Sequence, residues 1–183
     1  PFLHAGVSAL FAYMAAGARS FVADLANEEG RRSFSALLSG ADIFIDDTML
    51  GTRDALGLSP EIIAAHHPEL IHVSVLPFGA NWKGEDIIVQ HASGEGYLLP
   101  NGLTCGLFPG RAPVKIYGHF ASQQGGLAAA IGALSALWVR DEVGGQYVDI
   151  SSQDATLAVG AFAIQRLGDG SVEHRVERSF RYG

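Results

Sequence analysis

The sequence predicts an α/β fold in which a parallel sheet is flanked by helices, and three observations carry that expectation. Between Ser20 and Val75, short apolar runs of strand length alternate with segments of helical character, in the order strand, helix, strand, helix, strand. The connections are short, which favours parallel strands joined by right-handed crossovers. A chain of 183 residues with 48% hydrophobic content also holds enough apolar side chain for one good core.

The first apolar run, Ala5 to Ala18, is broken by Ser8 and Gly17, carries no basic leader and is too short to span a bilayer, so it reads as a buried helix and not as a signal peptide. Ser20 to Leu25 is a strand-length run. Asn27 follows as a helix cap, with Glu28 and Glu29 in the first turn, where carboxylates complement the helix dipole. Phe34, Leu37 and Leu38 mark the buried face of a helix ending at Gly40. Ala41 to Ile45 is a second strand, followed by a polar turn. Ser59-Pro60-Glu61 starts a helix, with a capping Ser and Pro at the first helical position, and the helix runs through Ile62, Ile63 and Ala64 to Pro68. Leu70 to Val75 is the third strand. Together these form a Rossmann-like unit, but no G-x-G-x-x-G turn follows any strand, so nicotinamide dinucleotide binding is unsupported.

From Gly79 to Tyr117 the sequence turns glycine-rich and is punctuated by Pro100, Pro109 and Pro113, with one helix expected over Asp86 to Ser93. Leu127, Ile131, Leu134 and Trp138 then fall at i, i+4, i+7 and i+11, one face of a long helix from about Ser122 to Glu142. Ala128, Ala129, Ala130, Gly132 and Ala133 on its other faces imply close packing on more than one side. Gln146 to Ile150 reads as a strand, Ser151 or Ser152 as a cap, and Asp154 to Leu167 as a further apolar helix.

Composition excludes several function classes. Twelve basic against 19 acidic residues leave a net charge of -7, which suits neither nucleic acid nor an anionic membrane. The single cysteine, Cys105, rules out an internal disulfide framework, leaves too few thiolates for a zinc or iron–sulfur site, and fits a reducing cytoplasm. His66 and His67 are adjacent and so diverge on a helix, unlike an i, i+4 metal pair, and no metal is expected. The chain starts at Pro1 without Met and stops in mid-pattern at Gly183, which reads as a piece truncated at both ends.

Four collinear blocks carry a resemblance: ARSFVADLANEEGRRSFSALLSGADIFIDD, LGLSPEIIAAHHPELIHVSVLPFG, EDIIVQHASG, and GGLAAAIGALSALWVRDEVGGQYVDISSQDATL. In order and spacing they resemble the class III CoA-transferase family, also called CaiB/BaiF, which includes formyl-CoA and carnitine CoA-transferases and α-methylacyl-CoA racemases. The resemblance covers nearly the whole chain. It implies that residues 1–183 are the central portion of that family's large domain, which forms an interlocked homodimer. It implies no tightly bound cofactor, with coenzyme A or an acyl-CoA as substrate beside a carboxylic acid. In the transferases an Asp carboxylate attacks the thioester, dividing one difficult exchange into easier steps. In the racemases an Asp and a His move the proton next to the thioester.

The family's Asp lies four residues before the Gly-Leu that opens the long helix, and in this chain that position is Ser122. Ser122 reads either as the helix cap or as a substitute nucleophile with His119 as base. Glu85-Asp86 matches the racemase His-Asp pair. Both carboxylates are candidates for the chemistry, and Asp86 also for the cap of the helix it opens. Asp47, Thr48 and Met49 correspond to a segment lining the family's CoA cleft, and Lys83 stands where a basic residue can meet CoA phosphate. Three functions therefore stand side by side: CoA transfer through an unorthodox residue, an acyl-CoA racemase or isomerase variant, and a non-catalytic member or half of a tandem protein.

Overall fold

The computed structural model describes residues 3–4, 6–80, 82–98, 112 and 114–160. Two compact units divide the chain, residues 1–35 and 36–183.

In the first unit, β1 (Leu3–His4) and β2 (Val7–Ser8) form an antiparallel pair. Helix α1 (Ala9–Met14) follows at once, its first turn capped by Ser8, whose Oγ accepts the Phe11 N–H at 3.3 Å. The expected buried helix over Ala5 to Ala18 is thus six residues long, and none of its residues is buried. The hairpin takes its first residues and a turn at Ala15 to Gly17 ends it. The expected strand over Ser20 to Leu25 does not form a ladder among the described residues, and Phe21 and Val22 are exposed. Apolar content alone does not make a strand, because the backbone groups need a partner. The cap at Asn27 is as expected: its Oδ1 accepts the Gly30 N–H at 2.8 Å, and Asp24 holds the Asn27 amide from behind at 2.8 Å. Helix α2 (Glu28–Leu38) begins there and runs into the second unit.

The second unit is built on a parallel sheet of order β3-β4-β5. Strand β3 (Ile43–Asp46) leads through α3 (Leu50–Leu56) and α4 (Pro60–His66) to the central strand β4 (Ile71–Ala80). Ser59 caps α4 as the sequence requires, its Oγ accepting the Ile62 N–H at 3.3 Å. Helix α3 replaces the end of the expected polar turn. It closes on Gly57, whose φ of 73° is the left-handed conformation that glycine adopts without steric cost. Strand β4 runs five residues past the expected end at Val75. Its ladder with β5 ends at Leu76 opposite Ser151, so Pro77 removes no hydrogen bond from that pairing.

After β4 come α5 (Asp86–Ala92), α6 (Glu95–Leu98), the long α7 (Phe120–Val143), β5 (Tyr147–Ser151) and α8 (Ser152–Val159). Ser151 caps α8 by accepting the Asp154 N–H at 3.1 Å. Cys105 and the expected continuation of α8 to Leu167 lie outside the described residues. No helix among the described residues is long and apolar enough to cross a membrane.

The core lies between one face of the sheet and α7. Ile71 and Val73 are fully buried against Ala129, Ala133 and Ala136, with Ile43, Val75, Val148 and Ile150 around them. The buried line of α7 is therefore Ala121, Gly125, Ala129, Ala133 and Ala136. The stripe of large residues faces away: Leu127, Ile131 and Leu134 are 60–63% exposed and Trp138 is 89% exposed. Small side chains win the sheet-facing side because they let the helix backbone come close, which larger ones would prevent.

Gly125 and Gly126 separate this packing effect from helix propensity. A Cβ on Gly125 would collide with the Ser152 hydroxyl and meet Val75 Cγ1 at 3.3 Å, whereas one on Gly126 meets nothing within 4 Å. Gly125→Val is expected to lose about 1–3 kcal/mol through overpacking, and Gly126→Ala to gain about 0.4–1 kcal/mol. Urea unfolding of the two variants should give shifts of opposite sign, and shifts of the same sign would contradict this placement of α7.

Candidate active site

The N-terminus of α7 does not cap itself. His119 occupies the cap position but contributes no side-chain hydrogen bond, and helical backbone starts at Phe120, so Ser122 is the third helical residue. Its N–H is one of the donors that a helix start leaves without an intrahelical partner. Asp86 supplies the acceptor. Its Oδ1 takes the Ser122 N–H at 2.9 Å and the Ser122 hydroxyl at 2.9 Å. Both capping expectations are corrected by this contact. Ser122 does not cap its own helix, and Asp86 caps α7 instead of α5, whose cap position is Glu85 without a side-chain bond.

Asp86 reaches α7 because it stands in the first turn of α5, and Gln90 follows one turn later on the same side of that helix. Gln90 is fully buried. Its amide donates to the Val114 carbonyl and its carbonyl accepts the Ile116 N–H, each at 3.3 Å. The side chain thus grips the backbone on either side of Lys115. Lys115 then sends its ammonium to 3.5 Å from Asp86 Oδ2 and donates to the carbonyls of Ile116 and Gly118. Lys115 was not singled out in the sequence. The signal available was a lone lysine seven residues before Ser122, which means nothing until Gln90 and Asp86 are placed beside it.

The electrostatics favour a carboxylate here. Burial pushes the Asp86 carboxyl up, but the two bonds from Ser122 and the charge of Lys115 outweigh it and hold the group below its ordinary value of 3.8. Asp86 is therefore ionised at neutral pH, with Oδ1 tied to Ser122 and Oδ2 facing an ammonium. The Ser122 hydroxyl donates to this weak base, and His119 is exposed and forms no hydrogen bond with Ser122 among the described residues.

The other expected site residues lie elsewhere. Glu85 is exposed, and its backbone carbonyl accepts the N–H groups of Ile88 and Val89 at 2.8 and 3.0 Å. Lys83 is exposed in the segment between β4 and α5 and makes no ion pair among the described residues. Asp47, Thr48 and Met49 form the loop leaving the carboxyl end of β3, the end at which open α/β sheets take ligands. Asp47 is exposed and the other two are half-buried. His66 Nδ1 donates to the Ile62 carbonyl at 2.8 Å, one turn back on its own helix.

The family model for CoA-transferase family III matches residues 1–182. The chain is 34% identical over 151 residues to succinyl-CoA:(R)-benzylsuccinate CoA-transferase subunit BbsE of Thauera aromatica, covering 79% of this chain and 35% of that protein. It is 32% identical over 158 residues to acetyl-CoA:oxalate CoA-transferase of Acetobacter aceti, covering 82% of this chain and 39% of the relative. Among solved structures, a CaiB/BaiF family protein from Brucella suis superposes with a TM-score of 0.73 at 33% identity, over 83% of this chain and 40% of that one. The chain thus spans well under half the length of the relatives it matches.

The lowered Asp86 value has a defined consequence for stability. A carboxylate whose folded value lies below its unfolded one stabilises the fold above the unfolded value, and that contribution is lost as the pH falls through the folded value. The parent should therefore exceed Asp86→Asn in stability at pH 7, and the gap should close as the pH drops below 3.8. Urea unfolding across that range measures it, and a gap that widens in acid would contradict the assignment.

Proposed function

The chain belongs to CoA-transferase family III, and from that premise we propose that it is the central portion of an enzyme that moves coenzyme A between carboxylic acids, with an acyl-CoA as donor. One observation carries the catalytic part of this reading: the Asp86 carboxylate is held by Ser122, the residue that the family resemblance sets at the position of the family's Asp. A carboxylate from α5 thereby stands at the start of α7.

The Asp86 carboxylate attacks the thioester carbonyl carbon, the carbon–sulfur bond breaks, and CoA leaves as its thiolate. The product is a mixed anhydride on Asp86. The thiolate returns to the Asp86 carbonyl carbon and expels the donor's carboxylate, leaving an aspartyl thioester. The acceptor carboxylate attacks that thioester and releases CoA thiolate again, and the thiolate then takes the acceptor's acyl group and frees Asp86. No redox change occurs and no proton needs a dedicated base. The Ser122 N–H and hydroxyl, already aimed at Oδ1, can follow the developing charge on that oxygen, and the Lys115 ammonium stands on the other side. Ser122 itself is poorly set up as nucleophile, since its hydroxyl proton points at an acid held ionised. A serine ester would also lack the anhydride chemistry.

The Asp47–Met49 loop and Lys83 complete the reading as contacts for the CoA moiety. Cytoplasmic location and pairing of two full-length chains are part of it too, supported by the single cysteine and by the family resemblance.

The test uses the full-length protein with labelled succinyl-CoA or acetyl-CoA and a panel of carboxylic acids. Asp86→Asn is expected to lower transfer by about three orders of magnitude or more, and Ser122→Ala by about a hundredfold. Peptide mass spectrometry should find CoA on Asp86 in the parent. Transfer by Asp86→Asn at the parental rate would sink the assignment. Solvent deuterium next to the thioester without transfer would point instead to a racemase using Glu85, and neither reaction to a non-catalytic member.

A further inference from the structure

On the sheet face opposite α7, one buried side chain reaches all three strands. Arg53 of α3 has a side chain only 3% exposed, and its Nη2 lies 3.1 Å from Asp46 Oδ2 at the end of β3. The same nitrogen donates to the Ser74 hydroxyl of β4, and Nη1 donates to the Tyr147 hydroxyl of β5 at 3.1 Å. Residues 46, 72, 74 and 147 share this face by strand alternation and register. His72 is buried there between the rings of Phe44 and Tyr147, with its Nε2 at 3.6 Å from Asp46 Oδ2.

The same guanidinium also leaves the sheet. Nη2 donates to the Thr48 carbonyl at 3.3 Å, while Asp46 Oδ1 accepts the Thr48 N–H at 2.8 Å. Thr48 is therefore gripped at both its backbone groups by the two halves of one buried ion pair. That pair is expensive to bury and is not required to satisfy apolar packing. What it adds is a fixed backbone for the loop between β3 and α3.

We propose that Arg53 is a positioning residue, holding the Asp47–Met49 loop from inside the protein in the shape that accepts the acyl-CoA. The inference rests on the reading of that loop as a CoA contact. Arg53 does not touch the ligand. It acts through Thr48, and its planar fork is what allows one residue to meet Asp46, Ser74, Tyr147 and the loop at once. A lysine, with one compact donor group, keeps the charge but not the four-way geometry.

The experiment uses CoA itself as probe, with calorimetric titration of the full-length parent, Arg53→Lys and the neutral double variant Asp46→Asn/Arg53→Met, each with its melting temperature and transfer kinetics. The double variant guards against Asp46 being stranded as an unpaired buried charge. Both variants are expected to weaken CoA binding about tenfold or more, with the loss falling on KM and not on kcat, and Arg53→Lys lying closer to the parent. Lowered melting temperatures with parental CoA affinity would reduce Arg53 to a structural role and overturn the inference. A parent that binds no CoA would instead overturn the functional reading on which the inference rests, so the two failures are distinguishable.

Discussion

The closeness of α7 to the sheet is the constraint on which the rest of the second unit depends. Ala129, Ala133 and Ala136 lie on Ile71 and Val73, and Gly125 faces Ser152 and Val75 with no room for a side chain. A helix held at that distance over 24 residues has little freedom to slide or rotate. Its N-terminus is consequently placed as firmly as its middle, and the first free N–H groups arrive where α5 begins. The polar contact between Asp86 and Ser122 is a product of apolar packing elsewhere on the helix.

The two carboxylates of greatest interest sit at comparable points of the fold and serve different ends. Asp86 and Asp46 both lie near the carboxyl ends of strands or just beyond them, and both are held below the ordinary carboxylate value despite burial, which alone would raise them. For Asp46 the opposing influences are His72, Thr48 and Arg53, and the group is closed off at 4% exposure. For Asp86 they are Ser122 and Lys115, and Oδ2 has no full hydrogen bond among the described residues. In both, Oδ2 faces a cation without a full hydrogen bond among the described residues, Arg53 for Asp46 and Lys115 for Asp86; they differ in enclosure, the Asp46 side chain being 3% exposed and that of Asp86 14%. Asp46 thus ties β3 to the loop that follows it, and Asp86 ties the start of α5 to the start of α7.

Most of the secondary structure was legible because it rests on local chemistry. Asn27 before two glutamates, Ser59-Pro60-Glu61, and Ser151 ahead of an apolar helix each satisfy free N–H groups within a few residues, so the cap can be read without knowing the fold. The parallel order followed from strand length and short connections. Ser20 to Leu25 and Ala5 to Ala18 depart from expectation for one reason: their apolar content promises burial, but burial and ladder pairing depend on a surface that the local sequence does not contain. The stripe Leu127, Ile131, Leu134 and Trp138 obeys helical periodicity, yet the opposite side faces the sheet.

By itself, the sequence determined the α/β class, the caps at Asn27, Ser59 and Ser151, and the family, since each is written in residue types at short or collinear spacing. Only the tertiary structure decided which side chain meets Ser122. Asp86 is 36 residues from Ser122 and Gln90 is 24 from Val114, while Arg53 is 94 residues from Tyr147. Contacts of that span arise when a sheet and a close-packed helix bring separate segments together. The directions in which Asp86 and Arg53 point are set by helix phase against the sheet, which no local pattern encodes.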